Sequence, residues 1–338
     1  MNKLKLILLT LLVFILLNAI IVFLWPIRTN LKFANFSPYS EVYSNSLDLN
    51  KEEILNLYLE TWQRERLFEY DQYTGIRESE SLNGKYVNIS KENGRTVPNN
   101  PEFCKKNVFF YGGEVVFGYD VTDHHSIPFY FRDILKNQNL EYCVYNFGRR
   151  TYFSTQENIL FQQHININKI TKEDIIIFID GDNEIGTNRI INTEFIEKNY
   201  NALHQKYWKL YKVGIKNFIN LLPITQLYEV LSKRNKKQNN INLKETKSKL
   251  DFNNIVNVYK NNIDIRNAIC EKYQFNCYNL LFFIDTTKKE NYKDIEKEKN
   301  IFDLNNFEET LLKNKFNSLS PNSNKFLANE IYRIISTN

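Results

Sequence analysis

Between Asn107 and Gly181 the chain alternates short apolar runs with amphipathic stretches, and this alternation restricts the fold more than any other feature. NVFFYGG is a continuous apolar run ending in glycines. SIPFYFRDILKNQ follows, with Ser126 placed as an N-cap and Pro128 in the first turn, both helix-start signals. LEYCVYNFG is the next run, STQENILFQQHI the next helical stretch and DIIIFIDG the third run. Strand, helix, strand, helix, strand at this spacing means βαβ units, and therefore a parallel sheet with helices on its faces. Such sheets bind ligands at the carboxyl ends of their strands. The loops GGEVVFG, NFGRRTYFST and DGDNEIG thus share the edge where a site belongs. Farther on, a helix over Phe252 to Tyr273 leads to another strand, NLLFFID, and FLANEIYRII reads as a terminal helix. The expected fold class is α/β, a three-layer α/β/α arrangement on a parallel sheet.

The N-terminus obeys a different rule. Leu4 to Trp25 is apolar except for Lys5, Thr10 and Asn18, long enough as a helix to cross a hydrocarbon layer of about 30 Å. Phe23, Leu24, Trp25 and Pro26 stand where a cleaved signal would carry small residues, so an uncleaved transmembrane anchor over residues 1–27 is expected. Lys3 and Lys5 before the span and Arg28 and Lys32 after it leave the flanking charge nearly balanced. The single-anchor pattern points to a single-pass protein in contact with membrane lipid, its N-terminus cytoplasmic and its domain outside the cytoplasm. Residues 28–104, polar and rich in tyrosine, read as a stalk that then wraps the domain, with one helix from about Lys51 to Leu67; residues 105–338 read as the domain itself. Longer helical stretches over Thr193 to Arg234, and a solvated loop SKRNKKQNNINLKETKSK, interrupt it.

A net charge of +5, from 44 basic against 39 acidic residues, is too even for the cationic face that nucleic-acid binding needs. Cys104, Cys143, Cys270 and Cys277 form no CxxC and no Cys/His cluster, so the spacing offers no zinc site, and no cofactor is expected. Cys270 and Cys277 either pair across the KYQFN turn in an oxidising compartment or stay buried as thiols.

The strand-end loops carry a recognisable order. VFFYGGEVVFGYD resembles the first block of SGNH (GDSL-type) hydrolases, written GGSTTFG in one branch, where a glycine turn holds the serine nucleophile. NFGRRTYFSTQENILF resembles the second block, whose glycine supplies a backbone amide; IFIDGDNE resembles the third, GxND, whose asparagine supplies a side-chain amide. LSPNSNKFLANEIYRI resembles the last, in which an Asp-x-x-His pair precedes LSPEGNxxIA. The resemblance spans about residues 105–338 and implies an SGNH-type, flavodoxin-like sheet. Its oxyanion-hole positions fall on Gly148 and Asn183. Its nucleophile position falls on Glu114, its histidine position on Ser318 and its aspartate position on Lys315, all of them non-standard. Acyl transfer by such a site needs a hydroxyl made nucleophilic by an imidazole within reach, so the resemblance implies a protein that binds a surface glycan or an acylated ligand without hydrolysing it. The competing reading is a working esterase or O-acyltransferase on surface carbohydrate with an unusual residue set.

Other residues compete for roles. His124 and His125, in the turn VTDHHS, are the candidates to replace the base, and read first as solvated turn residues. Asp180, Asp182 and Glu184 stand beside Glu114 on the rim; with it they suit acid–base work or a hard cation, whereas the plainer reading has Asp180 capping the turn and the other two solvated. Ser154 and Glu157 have capping-box spacing, which makes Ser154 a helix cap rather than a nucleophile. Tyr152 and Phe153 read as core, with stacking on a sugar as the alternative.

Overall fold

The computed structural model describes residues 5, 9–21, 47–62, 68–78, 81–149, 152–167, 169–181, 183–184, 252–283, 301–304 and 319–337. The chain divides into two compact units, Met1–Ser37 with Arg189–Leu250, and Pro38–Asn188 with Asp251–Asn338. Of the first, residues 9–21 are helical, with exposed side chains that include Leu12, Ile15 and Leu16. Apart from Lys5, the rest of the expected span lies outside the described residues, as do residues 193–234; among the described residues no helix is long and apolar enough to cross a membrane.

The second unit is built on an eight-stranded sheet. Its elements are α1 (Lys51–Trp62), β1 (Phe68–Asp71), β2 (Gly75–Glu78), β3 (Leu82–Asn83), β4 (Asn88–Ser90), β5 (Gly94–Arg95), β6 (Lys106–Gly112), α2 (Glu114–Phe117), α3 (Ile127–Asn137), β7 (Tyr142–Asn146), α4 (Ser154–Asn166), β8 (Ile175–Gly181), α5 (Phe252–Tyr273), β9 (Asn276–Phe282), β10 (Ile301–Asp303) and α6 (Pro321–Thr337). β1 and β2 pair as a separate hairpin, and the main sheet runs β10-β9-β8-β6-β7-β5-β4-β3. β6 to β10 are parallel. Taken in chain order, those five strands stand 2-1-3-4-5, the flavodoxin-like arrangement, which reverses direction between β6 and β8.

The apolar runs become central strands because both faces are covered. Val108 and Phe110 of β6, Ile177 and Ile179 of β8, and Leu280 and Phe282 of β9 point to one side, where they pack with Phe131 and Leu135 of α3 and Leu327 and Ile331 of α6. Phe109, Tyr111, Ile176 and Phe178 point to the other, against Leu160 and Phe161 of α4 and Cys270 of α5. Period-two alternation thus sorts each strand between two helical layers.

The sheet reaches back to Leu82, into the segment that the sequence assigns to a stalk and wrap. β3, β4 and β5 extend it antiparallel from β7 through the pair Arg95 and Asn146, covering what would be an open parallel edge. α1 supplies Ile54 and Leu57 to a small core with Val87, Ile89 and Phe117. Two disulfides close the unit: Cys270–Cys277 joins α5 to β9, and Cys104–Cys143, which no local spacing advertises, ties the entry of β6 to β7 across a separation of 39 residues.

Candidate functional site

The chain leaves β6 through Gly112 and Gly113 into the single turn α2, and Glu114 is that turn's first residue, exposed. Glycine at 113 has a local cause: a Cβ there would overlap the side-chain amide of Asn183, which follows β8. Across the other neighbour, β7 ends at Asn146, and a Cβ on Gly148 would run into the backbone of Val116 and Phe117 in α2. Glu114, Gly148 and Asn183 therefore all pack around α2 at the carboxyl edge, on either side of the strand-order reversal. Gly113, Glu114, Tyr152, Asp180, Asn183 and Glu184 line one cleft there. Its free space is about 30 Å³, enough for about two water molecules.

The two oxyanion-hole positions are engaged within the protein. The Gly148 N–H donates to Asn146 Oδ1 at 3.0 Å, and Asn183 Nδ2 donates to the Tyr152 carbonyl at 2.8 Å. Asn146 also donates through Nδ2 to the Val116 carbonyl at 2.9 Å, so one side chain fixes both the second-block loop and α2. Lys315 and Ser318 lie outside the described residues, as does Asp182.

A buried guanidinium, which the sequence reading missed, holds the segment that leads away from α2. Arg95 of β5 donates to Asp123 Oδ1 at 2.8 Å and to the carbonyls of Phe117, Gly118 and Val121. The second oxygen of Asp123 accepts from the backbone and side chain of Asn88. Gly118, at φ +78°, turns the chain into this clamp. His124 and His125 follow on the same turn. His125 Nδ1 lies 2.7 Å from Thr122 Oγ1, its carbonyl accepts from Asn324 of α6, and burial with neighbouring His124 lowers its pKa; His124 is exposed, edge-on to Phe129.

Behind the cleft, Asp180 and Glu184 are neither solvated nor turn caps. Asp180 faces Arg266 of α5, which it grips with both oxygens, and Tyr259 Oη donates to it at 3.2 Å. The same guanidinium donates to Glu157 Oε2 at 2.9 Å and to Asn158 Oδ1, and it stacks 4.0 Å from the Phe178 ring centre. Glu184 is 3% exposed; it accepts the Ser154 N–H at 2.6 Å and the Ser154 hydroxyl at 2.9 Å. The expected capping box is thus replaced. Phe153 is the N-cap of α4, Ser154 is its first residue, and Glu184 satisfies an orphan amide of the helix from a different loop. Glu157, drawn to Arg266, is not free to cap.

Asp180 and Glu157 pair with one guanidinium in this interior, and Glu184 lies beside them. Burial, then neighbouring Asp180, raises Glu184 to about 8 against the opposing pull of Ser154 and Arg266. Burial and Asp180 also raise Glu157 far above the usual carboxylate range. A cation has no place beside Arg266, and among the described residues no group of His, Cys, Asp and Glu is arranged to hold a metal. Tyr152 is core, 1% exposed, with Arg149 Nη1 donating to its hydroxyl at 3.0 Å. Ser154 is fully buried, and Asn262 Nδ2 donates to its Oγ at 2.8 Å, so this hydroxyl does not open on the cleft.

The strand order, with the first three sequence blocks at adjoining strand ends, decides the fold. It is a flavodoxin-like α/β/α fold. Solved structures of similar shape include a protein assigned to the lipolytic G-D-S-L family from Desulfitobacterium hafniense, 14% identical, covering 68% of this chain and 98% of its own, with a TM-score of 0.37. A member of the same lipolytic family from Veillonella parvula is 10% identical over 68% and 98%, with a TM-score of 0.39. The acetylxylan esterase Axe2 from Geobacillus stearothermophilus is 12% identical over 69% and 94%, with a TM-score of 0.31. Values this low say nothing of substrate or activity. No family model matches the chain, and no curated protein matches it in sequence.

Proposed function

We propose that this is a membrane-anchored envelope protein in which an SGNH-type cleft binds a surface glycan or an acylated ligand without hydrolysing it. The observation that carries the reading is Glu114, an exposed carboxyl in place of the family's serine, at the mouth of a cleft whose described lining offers no serine hydroxyl and no imidazole. A carboxylate attacking an ester would form an anhydride, and the described lining supplies no imidazole to activate the water that must resolve it. The engaged amides of Gly148 and Asn183 support the same conclusion, because an oxyanion hole works through donors already aimed at the developing charge. The cleft is small, so a glycan would present a single hydroxyl or acetyl group to it. The anchor rests on the Leu4 to Trp25 run and on the exposed apolar side chains of residues 9–21. The two disulfides support an oxidising compartment for the folded unit.

One observation favours the competing reading, an esterase or O-acyltransferase with an unusual residue set: Glu184 lines the cleft and holds its proton up to about 8, as a general acid must. The two are separated by assaying short-chain nitrophenyl esters and an acetylated sugar with the wild type, Asn183→Ala, Glu184→Gln and the triple variant Glu114→Ser, Ser318→His, Lys315→Asp. The wild type is expected to be inactive. Robust wild-type turnover that falls with Asn183→Ala or Glu184→Gln overturns the binding-protein reading.

A further inference from the structure

Strands β6, β8 and β9 are immediate neighbours and parallel, so the segments that enter them adjoin along the amino edge of the sheet, the edge opposite Glu114. Each entry presents one large apolar side chain to solvent. Phe103, three residues before β6, is 82% exposed; Ile167, where α4 ends ahead of β8, is 68% exposed; Tyr273, the last residue of α5 ahead of β9, is 43% exposed. Among the described residues of this unit, the only other large apolar side chains so open are Tyr73 and Ile265, which belong to neither these entries nor each other's element. Exposed apolar residues scattered singly are ordinary, whereas a group of them on adjoining loops marks a contact surface.

Their backbones are braced. Cys104, next to Phe103, is bonded to Cys143 of β7, and the Lys105 N–H donates to the Glu141 carbonyl at 2.9 Å. The Cys270–Cys277 disulfide closes the turn that carries Tyr273; within it the Phe275 N–H donates to the Cys270 carbonyl at 2.9 Å, and the Tyr273 ring stacks on Phe275 with 5.4 Å between centres. The Ile167 N–H donates to the Gln163 carbonyl at 3.2 Å, which ends α4 there. Each disulfide thus pins a loop whose ring stays in water, an arrangement that costs free energy until something apolar covers it. Charge of both signs borders the three, with Lys105 3.1 Å from Glu141 and Lys106 3.4 Å from Glu173, so apolar insertion rather than charge makes the contact. We propose that this edge docks on a lipid bilayer, with Phe103, Ile167 and Tyr273 entering the boundary between headgroups and acyl chains, where aromatic rings with a polar tip are at home. The occupant follows from reading Leu4 to Trp25 as an anchor, on which the inference rests: 21 residues part Trp25 from Leu47, and a chain of that length reaches at most about 75 Å, so a bilayer is always at hand. Docked in this way, the unit turns the Glu114 cleft away from lipid and toward a surface glycan.

The test places the full-length protein in phosphatidylcholine vesicles with and without bromine high on the acyl chains, and reads tryptophan emission as the difference from wild type, whose three native tryptophans set the baseline. Phe103→Trp and Tyr273→Trp should each lose most of their added emission to brominated lipid, while His124→Trp, exposed at the carboxyl edge, should lose none. Phe103→Ser with Ile167→Ser in the same chain should abolish the loss at Tyr273→Trp. Unquenched emission from Phe103→Trp or Tyr273→Trp, quenching of His124→Trp to the same degree, or a loss at Tyr273→Trp that survives the double serine change overturns the proposal. Comparison with Trp25→Phe reports the anchor separately. Quenching of Trp25 beside an unquenched Phe103→Trp sinks the docking alone, whereas a quenched Phe103→Trp beside an unquenched Trp25 keeps the docking and removes the anchor.

Discussion

Replacing Arg266 with methionine tests the electrostatic account of the interior most directly. The guanidinium makes five hydrogen bonds, two of them to Asp180 and the others to Glu157, Asn158 and the Ser154 carbonyl, and it is fully buried. Removing one side of a buried ion pair costs about 3–5 kcal/mol, because the charge left behind is neither paired nor hydrated. Here two or three carboxyls are left behind, so a value at the upper end is expected at neutral pH. The pH dependence follows from the direction of the shifts. Glu184 and Glu157 have folded pKa values above their unfolded ones, so the native state binds more protons. Their contribution to stability is whole below the ordinary 4.5 and is lost as pH rises through the folded value, about 8 for Glu184. The rise for Glu184 alone corresponds to at most ~5 kcal/mol. Without Arg266 the carboxyls hold their protons more firmly still, and the decline with pH becomes steeper. Urea unfolding of wild type and Arg266→Met, followed by circular dichroism at about pH 5 and about pH 8, should show the penalty shrinking on the acid side to the ~1–2 kcal/mol of lost hydrogen bonds. A penalty of equal size at both pH values, or one below ~1 kcal/mol throughout, would refute the reasoning.

Three further outcomes follow from particular contacts. Glu184→Gln keeps an acceptor for Ser154 but cannot ionise, so its stability relative to wild type should improve as pH rises from the ordinary 4.5 to about 8, measured as the difference in unfolding midpoint across that range. Gly113→Ala places a methyl group where the Asn183 amide sits; a cost of about 1–3 kcal/mol is expected in denaturant unfolding, with Gly113→Ala and Asn183→Ala non-additive in the double variant. Replacing Cys104 and Cys143 together by serine releases a cross-link over 39 residues and should lower stability by about 2–4 kcal/mol under oxidising conditions, while under strong reductant the variant and wild type should converge.

The layer architecture could be read from the chain because it is local and periodic. Runs such as VFFY and IIIFI are apolar at consecutive positions, which only a strand covered on both faces accepts, and Ser126 with Pro128 marks the start of α3, where the Ser126 hydroxyl accepts the Phe129 N–H. The glycines at 113 and 148 were legible as a pattern, and the structure supplies their cause: each stands where another strand's loop presses against α2. The carboxylates were read less well. Nothing adjacent to Asp180 or Glu184 announces Arg266, which comes from a helix more than 80 residues later, and a capping-box spacing at Ser154 and Glu157 is the same string whether or not a distant arginine claims the glutamate.

By itself, then, the sequence determined the strands β6 to β9, the helices α1 and α3 to α6, their order, the loops that share the carboxyl edge, and the carboxylate at Glu114 in one of them. These follow from residue type and short-range spacing. Only the tertiary structure decided that Leu82 to Arg95 belongs to the sheet, that Cys104 meets Cys143, that Arg95 clamps the turn after α2, and that Asp180 and Glu157 pair with one guanidinium behind the cleft. Each of these pairs groups far apart in the chain, and their energy comes from removing charge and hydrogen-bonding groups from water together, a condition set by the packing of whole layers rather than by any neighbour in sequence.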